Sequence, residues 1–543
     1  MERPRPALAL AVALPLLACA APEVDTTDDA TTAGSSTTSP ASSAADPTSE
    51  SETTGTTAPI EPDLPWEPIR ARGITLTNVS ANQGVDIDIG KDGVGVPGDE
   101  RNAYLLQGRI TAIRGYWQVE DDWEPRAIEA RLELVYEDGE TVAQSKVVTI
   151  EEDSFVGLLS RSFVFGLMPE EVRPGLRYRM ELWETGPGQE DRPEPEPAPA
   201  IPLVGTEYVG VEKSDQSLEI VVIPFHYNVP GCDTTPAVDE DQLQGYDDAV
   251  FQMNPADRMT LTLHEPVEWT EPLDSFTPLN VYMSSLRAEE GAGDHVFYYG
   301  LIDPCAFDLD GFGGLAHAIP TIPPIKEEAF VRVASGLSLS DQLQWTGETF
   351  VHELGHLLGR RHVKGGCGAS GTDPAYPYPN GEIDGFGFGV RDFKLYDPFY
   401  NKSYMTYCHP YWVSSWGWNM VYKVIEELTK WAAEDAPGEP DGRVLVGAYD
   451  SHGAAIWYVT RGGVPAARLA YDQRVRFLAG EETLVEQPAA VYPMSHGSGR
   501  LVVTPLPPAF EQTTRVVHEA LGVVVDAPKR AEIREGTLRR AAP

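Results

Sequence analysis

The chain has 543 residues, too many for one ordinary core, and its 42% hydrophobic and 23% charged residues suit a soluble globular protein with disorder confined to segments. Asp and Glu number 83 against 41 Lys and Arg, a formal net charge of −42. A field of that sign repels phosphate backbones and argues against nucleic acid as a partner.

Residues 1–18 read as an export signal, with Arg3 and Arg5 ahead of an apolar run at 7–17 that is too short to span a bilayer as a mature helix. Leu16-Leu17-Ala18-Cys19 resembles the bacterial lipobox, which implies cleavage before Cys19, lipid on that cysteine and a place at the cell envelope, on the outer membrane or surface of a bacterium. An ordinary signal peptide cut nearby, giving a secreted protein, is the alternative, because Ala18 and Ala20 also form a small-residue site. Residues 19–64 are almost entirely Thr, Ser, Ala, Asp, Glu and Pro; they cannot bury enough apolar surface to offset chain entropy and are expected to form a disordered tether.

From 65 to 186, short alternating apolar runs separated by Gly, Asp and Pro predict a β-sandwich-like domain, followed by a Pro- and Glu-rich linker at 187–205. Between 206 and 435 strands and helices alternate: strands at 218–224, 259–263, 296–302 and 330–333, and helices at 238–253 and 279–287. Val421, Val424, Ile425 and Leu428 then recur at helical spacing. Alternation returns over 442–526, a small β-domain, and the Arg-rich tail 527–543 is expected to fray.

The stretch His352-Glu353-Leu354-Gly355-His356-Leu357-Leu358-Gly359-Arg360-Arg361-His362 carries the chemistry. On a helix of 100° per residue, His352 and His356 lie about 40° apart and Glu353 about 100° from His352, while Phe350, Val351, Leu354, Leu357 and Leu358 take the opposite face. Two imidazoles four residues apart can share a metal ion, and Glu353 flanks them as a general base rather than a ligand. Gly359 lets the chain turn sharply so that His362 can return as a third ligand, which leaves one coordination position open, as catalytic zinc requires. His226, His264, His295, His317 and His409 have no second histidine at coordinating spacing and read as ordinary histidines.

This eleven-residue motif resembles that of the metzincin clan of zinc peptidases, and Ser403-Tyr404-Met405-Thr406-Tyr407 is similar to the methionine turn of its astacin and serralysin branches. The resemblance implies an α/β catalytic domain, a twisted mixed sheet with an active-site helix, here flanked by β-sandwich-like domains. It implies one catalytic Zn2+ on His352, His356 and His362, Met405 as the apolar floor beneath them, and Tyr407 as a contact to zinc or to the developing oxyanion. It also implies an edge strand that pairs with extended substrate, for which Gly313, Gly314 and Leu315 are the candidates by position. The Pro-, Tyr- and Gly-rich segment 374–389 departs from those two branches and is faintly similar to mucin-cleaving bacterial metzincins.

An exported chain permits disulfides, and of the three pairings open to Cys232, Cys305, Cys367 and Cys408 we favour Cys232 with Cys305 and Cys367 with Cys408, since each pair flanks one continuous piece of the enzyme. The expected activity is hydrolysis of peptide bonds in extracellular proteins or glycoproteins by an enzyme held to the membrane by its lipid. Two alternatives stand beside it: a surface lipoprotein that grips a glycan or protein around a vestigial metal site, and a hydrolase of non-peptide amides or esters.

Overall fold

The computed structural model describes residues 66–305, 309, 311–339, 343–365, 367–434, 442–520, 523–529 and 534–535. The export signal, Cys19 and the tether lie outside the described residues. Burial alternates along β4 (Arg126–Val135) and β7 (Arg177–Glu184), which places one face of each in a core. One sheet runs from β2 (Asp86–Lys91) through β1 (Ile74–Asn82) and β3 (Thr111–Val119) to β6 (Phe163–Leu167). The second runs β7, β4, β5, where β5 is Thr141–Ile150. Ile87, Ile89 and Phe163 from the first sheet share a core with Leu132, Leu134 and Met180 from the second, a sandwich held by its inner faces.

The linker expected at 187–205 is partly built into this sandwich. Ala200 and Ile201 pair with β7, and Ile201 is fully buried; an apolar dipeptide inside a Pro-rich stretch had a sheet edge to cover. Glu207 and Tyr208 pair with the same strand, so the sandwich extends past its expected end.

The next region is a mixed sheet. β8 (Ser217–Val229), β10 (Phe297–Ile302) and β12 (Val333–Leu337) are parallel neighbours, β9 (Arg258–Leu263) runs parallel to β8 on its other side, and β11 (Gly314–Ala316) closes one edge antiparallel to β12. The helices are α1 (Glu240–Met253), α2 (Thr277–Glu289), α3 (Leu343–Leu357) and α4 (Ser415–Ala433). The strand expected at 330–333 is a correction: Lys326–Val331 is a 3₁₀ turn and the strand begins at Val333. The buried Glu328 carboxylate fixes that turn, accepting bonds from Thr321 N, Thr321 Oγ1 and Tyr492 Oη, which apolar pattern alone does not show.

α3 buries Phe350, Val351, Leu354 and Leu357, with Phe350 against the rings of Tyr299 and Tyr246. α4, capped by Ser414 Oγ on Gly417 N, buries Trp418, Val421, Val424, Ile425 and Leu428. The Cys232–Cys305 and Cys367–Cys408 bonds are formed, the two pairs favoured in the sequence.

The C-terminal strands form an eight-stranded sheet in the order β19 (Val523–Lys529), β18 (Arg515–Ala520), β15 (Ala470–Ala479), β16 (Glu482–Pro493), β17 (Arg500–Pro505), β13 (Arg443–Tyr449), β14 (Ala455–Arg461), with Arg534 and Glu535 added in parallel to β14. The sheet thus continues beyond 526, where the frayed tail was expected to begin. Both faces of β13 are buried. Leu445 and Tyr449 enter this domain's own core, whereas Val444, Val446 and Ala448 join Phe276, Leu279, Met283 and Phe330 of the preceding domain. The C-terminal domain is therefore fused through a shared core rather than tethered.

Candidate metal centre

His352, Glu353 and His356 ride on α3, with Glu353 and His356 almost fully buried. At the helix end Gly359 takes φ of 80° and its amide bonds to the His356 carbonyl, turning the chain so that His362 comes back beside the first two rings. The three imidazoles are oriented alike. Nδ1 of His352 donates to the Tyr404 carbonyl at 2.7 Å, Nδ1 of His356 to the Arg360 carbonyl at 2.8 Å and Nδ1 of His362 to the Ser370 carbonyl at 2.6 Å. A carbonyl can only accept, so each ring carries its proton on Nδ1 and presents a bare lone pair at Nε2.

Those lone pairs face one another. Nε2 of His352 lies 3.2 Å from Nε2 of His356 and 3.2 Å from Nε2 of His362. Two zinc–nitrogen bonds of about 2.0–2.1 Å meeting at a tetrahedral angle set their nitrogens about 3.3 Å apart, so the spacing fits a common ion. Protons do not serve as the alternative, because burial, reinforced by the neighbouring rings, lowers His352 to about 3 and His362 to about 4, and drives His356 well below the ordinary value. Three neutral lone pairs converging in a buried cluster repel one another, and a cation among them would relieve this.

Glu353 lies beside this point. Its Oε2 accepts from Ala316 N at 2.7 Å and from Ser495 Oγ at 3.0 Å, and its Oε1 lies 2.6 Å from Nε2 of His496. Burial by itself raises a carboxyl pKa, but the charge and hydrogen bond of His496, with His352 and Ser495, outweigh it and hold Glu353 below its ordinary value. Glu353 is thus held as a carboxylate.

Met405 is fully buried, its carbonyl accepts from Val363 N, and a Cβ on Gly355 would stand 2.5 Å from its Sδ and 2.7 Å from the Tyr404 ring. The turn carrying Tyr404 and Met405 thus packs on α3 at Gly355, which lies between the two histidines in sequence, and glycine admits the approach. Tyr407 has its ring 4.9 Å from His362 and 5.8 Å from His352, and its hydroxyl bonds to Nδ1 of His496 at 2.5 Å. Burial and the Glu353 carboxylate push that phenol up, so it stays a donor.

Gly313 and Gly314 meet the site from the sheet edge. The Gly313 carbonyl accepts from Leu337 N, while a Cβ on Gly314 would stand 2.8 Å from Cγ of Glu353. Leu315 turns inward and is buried. A cavity of about 220 Å³ opens alongside, lined by Phe312, Trp345, Thr349, Tyr407, Tyr411 and His496 among others. No described residue of 363–404 lines it.

His496 is the residue that the sequence did not offer. It lies in Met494-Ser495-His496-Gly497-Ser498-Gly499, a turn between two strands, with no ligand spacing around it. Yet its ring belongs to the same cluster, the candidate ligand atoms of His352, His356, His362 and His496 all lying within 4.8 Å of one another. The other histidines stay apart from it: His226 pairs with Asp233, His264 with Glu290, His295 with Glu219 and His409 with Glu348.

His317 is fully buried with Nε2 2.8 Å from Tyr458 Oη, bridging the mixed sheet to the C-terminal domain, and burial lowers it to about 3. The folded state keeps this ring neutral while an unfolded chain protonates it below about 6.5. Its stabilising contribution is therefore complete above pH 6.5 and is lost as pH falls toward 3. Between pH 6.5 and 4.5 the unfolding free energy should drop by about 2–3 kcal/mol more in the native sequence than in His317→Gln, which cannot titrate. Denaturant titrations of both proteins at the two pH values measure the difference.

No family model matches the chain, and no curated protein matches it. Among solved structures it is similar to metalloproteinase-II from Bacteroides fragilis, at 12% identity over 51% of this chain and 78% of that one, with a TM-score of 0.21, a likeness too slight to carry weight here. The site rests on its own geometry. The two disulfides suit an oxidising compartment, and among the described residues no helix is long and apolar enough to cross a membrane.

Proposed function

We propose that the chain is a zinc-dependent endopeptidase of the metzincin type, exported and held at the cell envelope by lipid on Cys19, that hydrolyses peptide bonds of extracellular proteins or glycoproteins. The observation that carries this reading is the convergence of three Nε2 lone pairs, each fixed by a carbonyl on its Nδ1, beside an ionised carboxylate that is not part of the ligand set. A purely structural metal site has no use for that carboxylate.

His352, His356 and His362 would hold the ion. Bound zinc supplies Lewis acidity toward a carbonyl oxygen and makes a water acidic near neutral pH. Glu353 takes the proton of the attacking water at its carboxylate oxygen and returns it to the leaving amine. The backbone of β11 gives extended substrate an antiparallel partner, and the cavity between Phe312, Trp345 and Tyr411 receives a side chain following the scissile bond.

The mature protein should carry one zinc ion that His356→Ala loses, and its cleavage of casein should cease with a chelator and return with added zinc. Metal analysis and a proteolysis assay test both points. A protein that holds no metal after purification in zinc-containing buffer would sink the reading.

A further inference from the structure

β11 offers two kinds of backbone group. Gly313 O and His317 N bond inward to β12, so the alternate residues Gly314 and Ala316 turn their amides and carbonyls outward, into the cleft. At Gly314 that edge borders the open cavity. From Ala316 onward it is covered.

The cover is the turn between β16 and β17. Ser495 N donates to Ala316 O at 3.4 Å, Ser495 Oγ lies 2.9 Å from Ala316 N, and Ile319 N donates to Pro493 O at 3.2 Å. Ile319 faces Pro493 and Ala316 faces Ser495, an antiparallel register, so the segment advances along the edge toward the three histidines as an extended substrate would. The next residue, His496, arrives at the centre itself, its ring stacked on Phe312 at 5.1 Å and its Nε2 2.6 Å from Glu353 Oε1. A water about to attack would have to stand beside the three histidines and within hydrogen-bond reach of Glu353; the His496 ring, 2.6 Å from Glu353 Oε1 and with its ligand atom within 4.8 Å of those of the three histidines, leaves no room for it there. Beyond it the chain leaves through Gly497 and returns along β17, so that among the described residues the Gly314 half of the edge borders the cavity.

We infer that the C-terminal domain is a built-in pseudosubstrate: Pro493–Ser495 fills the half of the cleft that would take residues before the scissile bond, and His496 shuts the water position, so the closed form is latent and the native protein cleaves casein only through a minor open state. The inference rests on the peptidase reading. The turn is held firmly, since Tyr492 and Met494 are buried in the core shared by the two domains and Tyr492 Oη donates to Glu328. Opening therefore concerns the tip, residues 495–499, by displacement or by a cut between two strands that stay paired.

The test uses the full mature protein loaded with cobalt(II), whose visible spectrum reports what reaches the ion, and acetohydroxamate as the probe. Acetohydroxamate should leave the native spectrum almost unchanged and perturb that of His496→Ala, with apparent affinity higher by at least about tenfold because the competent state is no longer a minor one. Casein hydrolysis should rise with it. Ser495→Pro, which deletes the amide donor to Ala316 O, should shift both readouts the same way and guards against a fault peculiar to the first variant. Equal acetohydroxamate affinity in native and variant proteins, or slower hydrolysis by His496→Ala at equal metal content, would overturn the latch and make His496 a positioning residue. Loss of cobalt by His496→Ala would overturn it as well, because a latch is dispensable to three ligands. A native chain that binds no cobalt strikes at the peptidase reading instead.

Discussion

Replacing Glu353 by Gln should leave the zinc in place and reduce peptide hydrolysis at least about a hundredfold and up to ten-thousandfold, the range expected for a positioned general base. Gln is nearly isosteric: its carbonyl oxygen can still accept from Ala316 N and Ser495 Oγ, and its amide can donate to His496 Nε2 once that ring carries its proton on Nδ1 toward the Tyr407 oxygen, so the local fold is retained. What it lacks is basicity. In the native site burial raises Glu353, and His496, with His352 and Ser495, outweighs it; in His496→Ala, water entering the space of the ring should relieve the burial that the ring offsets, so the carboxylate stays a base, whereas an amide takes no proton. The comparison is made both in the native sequence and in His496→Ala, where hydrolysis is expected to be larger and the loss easier to read. Metal content by elemental analysis accompanies each rate. Full activity with Gln at position 353 would refute the assignment of the base, while loss of zinc would show that the carboxylate helps hold the ion.

The candidate site was legible where its chemistry is local. His352, Glu353 and His356 acquire their relation from one helix, whose phase follows from Phe350, Leu354 and Leu357 opposite, and His362 follows from Gly359 and three further residues. The pairing of cysteines was legible for a similar reason, each bond closing one piece of chain. His496 was not legible, because a single histidine in a Ser- and Gly-rich turn has no partner in sequence; the docking of the C-terminal sheet, with β13 against α2, carries that turn to the histidine cluster. The docking itself left a trace in Arg443–Tyr449, where Val444 and Val446 alternate with Leu445 and Tyr449, apolar on both faces, the mark of a strand with two buried sides. Pro-rich composition concealed the pairing of Ala200–Ile201, since composition describes an average and a sheet edge needs only two residues.

Substituting Arg109 by Met should destabilise the protein by about 3–5 kcal/mol although no carboxylate among the described residues forms an ion pair with the guanidinium. Arg109 is fully buried, and burial lowers its pKa to about 9, so it remains charged at neutral pH. Its Nε donates to Gln83 O at 3.0 Å in the sandwich, and its two terminal nitrogens donate to Ala256 O and Phe251 O, each at 2.6 Å, at the end of α1 and just beyond it. The plane also lies on the rings of Phe251, 3.9 Å from the centroid, and Trp418, 5.1 Å away. One side chain thus ties three carbonyls and two aromatic rings from three parts of the chain. Methionine matches its apolar stem and removes a desolvated charge, which by itself favours the variant; against this, three buried carbonyls lose charged donors at about 1–3 kcal/mol each, and the larger sum decides. Lysine should recover less than half of the loss, because an ammonium on a flexible stem cannot reach three acceptors that a planar fork meets at once. Urea unfolding of the three proteins, followed by tryptophan fluorescence, measures this order, and an Arg109→Met protein as stable as the native one would show that the carbonyls find other donors.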